Sequence, residues 1–291
     1  MAGWDGILTE LSNYKNPLDT VRQQYIQQMF ELTKRNVILY HSAFLTKPVR
    51  NVDINDSDMS GFMNAVHGLD AALGLDLILH TPGGDPMAAE SIVNYLRSKF
   101  NKDIRVIVPH MAMSAGTMIA CAARVILMGK HSSLGPIDPQ FNGIPAYDLM
   151  QLFREAKQGM TSGTNETAFW QKVLDDHPYI HMYRAIKAIE LSETLAREWL
   201  GSCMYDETTD KVTIDQIVAS LNENIKSKSH DRHFGADKCR SFGLKVNMLE
   251  DDNSLQDAVL SIFHTTTITF SKSNAIKIIE SQNGSPYIVS N

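Results

Sequence analysis

The sequence has little of what would place it in a specialised class. Only three of its 291 residues are cysteine, Cys121, Cys203 and Cys239. Three is odd and they stand far apart, so a disulfide framework is not expected and a reducing compartment fits best. No apolar run approaches the roughly 20 residues of a membrane-spanning helix. The opening stretch, MAGWDGILTELSNYKNP, has neither a basic segment nor an apolar one, so no signal peptide is expected and the cytoplasm is the expected location. Positive charge is not in excess: 27 Lys and Arg stand against 33 Asp and Glu, a net charge of −6. A nucleic-acid binder would carry a basic stripe, so that class is set aside. There is no repeat, no low-complexity tract and no G-x-x-x-x-G-K-[ST] phosphate loop. No cofactor is therefore called for, and any use of ATP would fall to a partner.

What is present is a chain that is 43% hydrophobic, enough to bury a large core. Residues 18–34 carry Val21, Tyr25, Met29 and Leu32 at helical spacing. Asn36–His41 then reads as a buried strand. Residues 56–74 read as a helix with Met59, Phe62, Met63, Val66, Leu69 and Leu73 on one face. The middle is the clearest part. Asp76–His80, Ile104–Pro109 and Val125–Met128 are short apolar strands, separated by helices at Pro86–Phe100 and Ser114–Ala123. Strands alternating with helices predict parallel pairing and an α/β layer fold. Strands covered on both faces read as continuous apolar runs, as these do. Beyond them the pattern predicts a helix at Tyr147–Lys157, a helical arm over about 166–200 broken at His177-Pro178, a helix at Thr213–Ile225, and a strand at Leu244–Met248. The C-terminal stretch 254–291 reads as helical, with helices at 254–272 and 273–282. No linker divides the chain, so 1–291 reads as one domain.

Two turns rich in small residues each follow a buried strand: His80-Thr81-Pro82-Gly83-Gly84-Asp85 and Ala112-Met113-Ser114-Ala115-Gly116-Thr117. In a parallel sheet both lie at the carboxyl ends of strands, where ligand crevices form. Ser114 alone reads better as a helix cap than as a nucleophile. Paired with a Gly-Gly turn one βα unit earlier, it reads as a nucleophile beside convergent N–H donors, the arrangement that acyl transfer requires.

These residues carry a family resemblance. H-T-P-G-G-D, V-P-x-x-A-M-S-A-G-T and M-G-K-H-S-S-L-G-P-I-D-P-Q together resemble the serine dehydrogenase proteinase family, of the Clp protease and signal peptide peptidase A class. L-T-K-R-N-V-I, G-F-M-N-A-V-H-G-L-D and H-F-G-A-D-K-C-R-S-F-G-L-K-V extend the likeness over roughly residues 20–280. The resemblance implies a Clp/crotonase-like spiral of ββα units with parallel sheets and a helical appendage. It implies a serine endopeptidase acting on extended or unfolded polypeptide, assembled as a homo-oligomer (ring or dimer-based), with a separate ATPase or membrane partner as a possible feeder. Ser114 is the implied nucleophile. Gly83, Gly84 and Ala115 are the implied oxyanion-hole donors. Leu134, Gly135, Pro136, Ile137 and Asp138 are the implied substrate-binding segment, beside which a peptide would add as a strand.

The general base departs from the Clp pattern, in which a histidine follows the serine by about two dozen residues. Here Asp138 stands 24 residues on and His131 only 17. The resemblance then implies a Ser-Lys dyad as in signal peptide peptidases, where the lysine follows roughly 40 to 50 residues after the serine; such a lysine needs burial to be neutral. Lys157 is the first choice, although it sits in R-E-A-K-Q-G, which reads as an exposed helix end. Lys187, Lys172 and His230 are the alternatives. His230 and His233 have metal-like spacing, with Cys239 nearby, but no complete ligand set follows and no metal is expected. Asp85 is expected to cap the next helix, and His80 and His110 to be ordinary hydrogen-bonded histidines. Two other functions use the same fold: a crotonase-like enzyme acting on an acyl thioester, and an inactive scaffold.

Overall fold

The computed structural model describes residue 7 and residues 17–141, 144–161, 166–175, 179–222 and 232–291. Helix α1 (Pro17–Thr33) leads into strand β1 (Asn36–Ser42), and α2 (Asp58–Val66) into β2 (Leu75–His80). Then come α3 (Pro86–Phe100), β3 (Ile104–Val108), β4 (Met111–Ala112), α4 (Ala115–Cys121), β5 (Val125–Met128) and β6 (Ser133–Leu134). A small hairpin, β7 (Gln140–Phe141) with β8 (Ile144–Pro145), opens onto α5 (Ala146–Thr161), α6 (Thr167–Asp175) and α7 (Tyr179–Trp199). The remaining elements are α8 (Lys211–Asn222), α9 (Ala236–Phe242), β9 (Val246–Met248), α10 (Asn253–Lys272), β10 (Ala275–Ser281) and β11 (Gly284–Ser290). Among the described residues no helix is long and apolar enough to cross a membrane.

The main sheet has seven strands in the order β11-β10-β1-β2-β3-β5-β9. β1, β2, β3, β5 and β9 run parallel. Every residue of β1 and β2 is buried because helices cover both faces. Ile38, Tyr40, Leu77, Leu79, Val106 and Val108 pack on one face against α2, α3 and α4. Val37, Leu39, Ile78, Ile107 and Leu127 pack on the other against α1 and α10. Successive strand residues point to opposite faces, so uninterrupted apolar runs satisfy both layers at once.

Three elements differ from the sequence expectation. The helix expected over 56–74 ends at Val66 because Gly68 turns the chain at φ +75°, and Met63 is left exposed. The helix expected at 213–225 is described as Lys211–Asn222, and its last three residues lie outside the described ones, as does the break at His177-Pro178. The larger correction is C-terminal. One helix ends at Lys272, and 275–290 is a hairpin instead of a second helix. Ala275–Ser281 is rich in isoleucine, which packs well on a pleated surface. It inserts between β1 and β11 with all seven residues buried. Asn283-Gly284 was a legible hairpin signal, and Gly284 and Ser285 both take positive φ.

At the carboxyl ends of β1 and β2, on the α10 face, two buried histidines meet. The rings of His41 and His80 lie 4.5 Å apart, and His110 stacks 5.5 Å from His80. Phe263 and Phe270 complete the cluster. Burial first, and then His80, Arg22 and His110, hold His41 well below the usual imidazole range. Burial and His110 lower His80 to about 3. Both rings are neutral in the fold and gain protons on unfolding below about pH 6.5. The contribution of each is therefore complete above that pH and is lost as pH falls toward its lowered value, about 3 for His80. Urea unfolding between pH 7 and pH 4 is expected to lose about 1.4 kcal/mol per pH unit for each ring. In His41→Leu that slope is expected to fall by one ring's share, and an unaltered slope would show that His41 is not held neutral.

Candidate active site

The two turns singled out in the sequence lie side by side. Thr81 donates its N–H to Met111 O and accepts from Met113 N–H, both at 3.0 Å. β4 in turn pairs parallel with β6. The approach needs glycine at three places. A Cβ on Gly83 would stand 2.6 Å from the Ser114 Cβ, one on Gly84 would stand 2.3 Å from Ile54 O, and one on Gly116 would stand 2.5 Å from the Thr81 Cγ2.

Ser114 sits immediately before α4 with φ +49° and ψ −117°, backbone that a non-glycine residue rarely adopts. Its hydroxyl makes no hydrogen bond with a described residue, including the helix amides it would cap. The cap reading of this serine is thereby set aside. The strained turn presents Oγ to a cleft of about 350 Å³, whose lining includes Gly84, Ser114, Ala115, Met118, Ile137 and Leu191. α4 is only seven residues long, so its first-turn amides matter more than any macrodipole.

The amides around the serine are not equivalent. Gly83 N–H donates to the Thr81 hydroxyl at 3.2 Å. Gly84 N–H and Ala115 N–H donate to no acceptor among the described residues, and both residues line the cleft. The reason lies in Ile54, which forms a one-residue parallel bridge to Gly84. Ile54 N–H donates to Gly83 O at 2.7 Å, and Ile54 O accepts from Asp85 N–H at 2.9 Å. A parallel bridge of this kind uses the flanking groups, so the N–H of Gly84 itself points away from Ile54. Asp85 caps α3 through Met87 N–H at 2.9 Å, as expected.

Leu134–Asp138 is buried along its length. Leu134 exchanges two backbone hydrogen bonds with Phe234, and Ile137 N–H donates to Leu221 O. Gly135 N–H donates to the Thr117 hydroxyl at 2.9 Å, which also lies 2.8 Å from Ala112 O. Most of the segment's amides are thus engaged within the chain. Its contact with the cleft comes from Ile137, followed by Pro139 and Gln140. Sequence reasoning missed Thr117, the fully buried hydroxyl that ties this segment to the serine helix. The signal was a threonine at a core position of an otherwise apolar small-residue helix. It also missed Ala188, Leu191 and Ser192 of α7, through which the arm forms one wall of the cleft.

The candidate bases are dispersed. Lys157 lines a different cavity of about 450 Å³ within the arm, among Phe153, Met160, Leu174, Tyr179 and Met182. Lys172 is exposed on α6. Lys187 is not among the residues that line the cleft; it is exposed on α7 and pairs with Glu190 at 2.7 Å, a contact that raises its pKa. His230 lies outside the described residues, and His233 Nδ1 lies 3.0 Å from the Ser133 hydroxyl. Among the described residues lining the cleft there is no lysine, histidine or carboxylate. Nor, among the described residues, does any group of three ligating side chains converge on a metal position.

The sequence model of a family described as ClpP-like SDH-type serine proteinase matches residues 15–256. Two proteins of Methanocaldococcus jannaschii are similar. Uncharacterized protein MJ1495 is 29% identical over 205 residues, covering 70% of this chain and 62% of its own length. Uncharacterized protein MJ0137 is 41% identical over 98 residues, covering 34% of each. The matched part thus spans less than two thirds of either relative. Among solved structures, a ClpP1 mutant from Listeria monocytogenes superposes with a TM-score of 0.42 at 14% identity, covering 77% of this chain and 97% of that one. The mixed α/β layers and mostly parallel sheet described above accord with the ClpP-like description of that family.

The backbone at Ser114 generates a stability test. Relief of one strained φ/ψ pair is worth about 1 kcal/mol. Ser114→Gly is therefore expected to raise Tm by about 2–4 °C, whereas Ser114→Ala leaves it unchanged. Calorimetry of the two variants checks this, and equal Tm values would show that the turn is not strained.

Proposed function

We propose that this chain, which belongs to the ClpP-like SDH-type serine proteinase family, hydrolyses peptide bonds of extended polypeptides with Ser114 as nucleophile. One observation carries the reading: a strained serine presents an uncommitted hydroxyl to a cleft that also receives the uncommitted amides of Gly84 and Ala115. The scissile carbonyl oxygen accepts from these two N–H groups, and Ser114 Oγ attacks the carbonyl carbon. Negative charge develops on an oxygen already facing both donors, which is where such donors lower the barrier most. Loss of the amine leaves an acyl-serine, which water then hydrolyses. The chain on either side of the scissile bond lies between the Gly84–Pro86 turn and the Pro139–Gln140 stretch, both of which line the cleft.

The base is assigned to a lysine of the arm. Lys187 is supported only by preceding Ala188 of the cleft wall on the same helix, and Lys157 by its sequence spacing from the serine. Either must shed its solvent and, for Lys187, its Glu190 partner to become neutral. Assembly as a homo-oligomer is supported by Phe169, Tyr179 and Tyr183 on the arm, which are 61%, 70% and 51% exposed. The acyl-thioester alternative finds no carboxylate among the described residues lining the cleft, and Asp85 is committed as a cap.

A fluorophosphonate probe is expected to label the wild type and not Ser114→Ala. A folded wild type that stays unlabelled would leave the inactive scaffold. Of Lys187→Ala and Lys157→Ala, the variant lacking the base loses labelling by at least about a hundredfold; full labelling in both would remove lysine from the mechanism. Sedimentation is expected to give a mass that is a multiple of 32.5 kDa, and a monomer at all concentrations would reject the assembly.

A further inference from the structure

A buried charged cluster lies beneath the Gly83-Gly84 turn. We propose that Lys277, Asp58 and Tyr40 are positioning residues that hold the Gly84 amide toward the cleft, an inference that rests on the reading of Ser114 as nucleophile. Lys277 comes from β10, Asp58 opens α2 and Tyr40 comes from β1, and each is at most 1% exposed. The Lys277 ammonium donates to Asp58 Oδ1 and to Asp53 O, both at 2.7 Å. The Tyr40 hydroxyl donates to Asp58 Oδ2 at 2.8 Å, and Asn55 N–H donates to the same oxygen at 3.1 Å. The cluster therefore grips Asp53 and Asn55, the residues on either side of Ile54. Ile54 is the residue whose bridge occupies Gly83 O and Asp85 N–H and leaves Gly84 N–H turned the other way.

Fold stability does not call for this cluster. A buried ion pair costs desolvation, and an apolar set of similar size is often at least as stable. What an apolar set cannot do is hold a backbone carbonyl at Asp53 and a backbone amide at Asn55. Lys277 lies beyond residue 256, where the family match ends. The hairpin at the C-terminus, far from Ser114 in the chain, becomes a support for the reacting centre.

The test separates positioning from stability. The triple variant Tyr40→Phe, Asp58→Leu, Lys277→Met removes the charges together and leaves none buried alone. Its Tm is expected to stay within a few degrees of wild type. Its second-order rate of fluorophosphonate labelling is expected to fall about tenfold to a hundredfold, the effect of a donor displaced by a fraction of an ångström to one ångström. Hydrogen–deuterium exchange of the peptide spanning residues 82–87 is expected to quicken by about tenfold relative to α3. A triple variant with wild-type labelling and wild-type exchange overturns the proposal. If the wild type itself is not labelled, the peptidase reading fails and exchange alone decides the positioning role. If the triple variant does not fold, Tyr40→Phe, which keeps the ion pair, must still quicken exchange at residues 82–87. Unchanged exchange there overturns the proposal as well.

Discussion

Thr81 exchanges two 3.0 Å backbone hydrogen bonds with the segment that leads into Ser114, and the rest of the site depends on that pairing. It brings the ends of two successive βα units into contact at a separation that admits no side chain at Gly83 or Gly116. The pairing also forces strain. With Met113 fixed to Thr81 and Gly116 N–H bonded back to Met113 O at 2.7 Å, Ser114 must make the turn at positive φ. A strained, solvent-facing serine and two uncommitted amides follow from the same constraint.

The sheet supplies rigidity beneath this contact. Parallel strands buried on both faces leave little freedom at their carboxyl ends, and the turns that emerge there inherit that order. Charged groups inside the sheet are each paired: Arg22 with Glu280, Lys277 with Asp58, and Asp76 with both Arg35 and Arg105. The arm is different in kind. Its helices present exposed aromatics, surround a cavity of their own and, among the described residues, reach the cleft through one side of α7. The sheet half thus carries Ser114 and the glycine turn, while the arm carries the candidate bases Lys157, Lys172 and Lys187.

Legibility in the sequence followed locality. The central strands were readable as apolar runs, and Ser114 and the glycines were readable because each motif is a few consecutive residues. The choice between Gly83 and Gly84 was not, because it is made by Ile54, some thirty residues upstream. The Leu134–Asp138 segment was recognised as a motif. Its engaged amides depend on Phe234 and Leu221, which no local pattern connects to it. Spacing along the chain favoured Lys157, but a count of residues carries no information about which way an arm helix faces. The C-terminal strands were missed although Asn283-Gly284 signalled a hairpin, since a short isoleucine-rich run fits a helix or a strand until its neighbours are known.

The amino-acid sequence by itself determined the α/β layering, the strand ends that carry chemistry and the serine placed on one of them. These rest on periodicity and on residues adjacent in the chain. Only the tertiary structure decided which amides stay unpaired, which wall the arm contributes and that Lys277 stands under the glycine turn. Those are matters of hydrogen-bond accounting among segments distant in sequence, and a backbone group is free or spent only with respect to whatever the fold brings beside it.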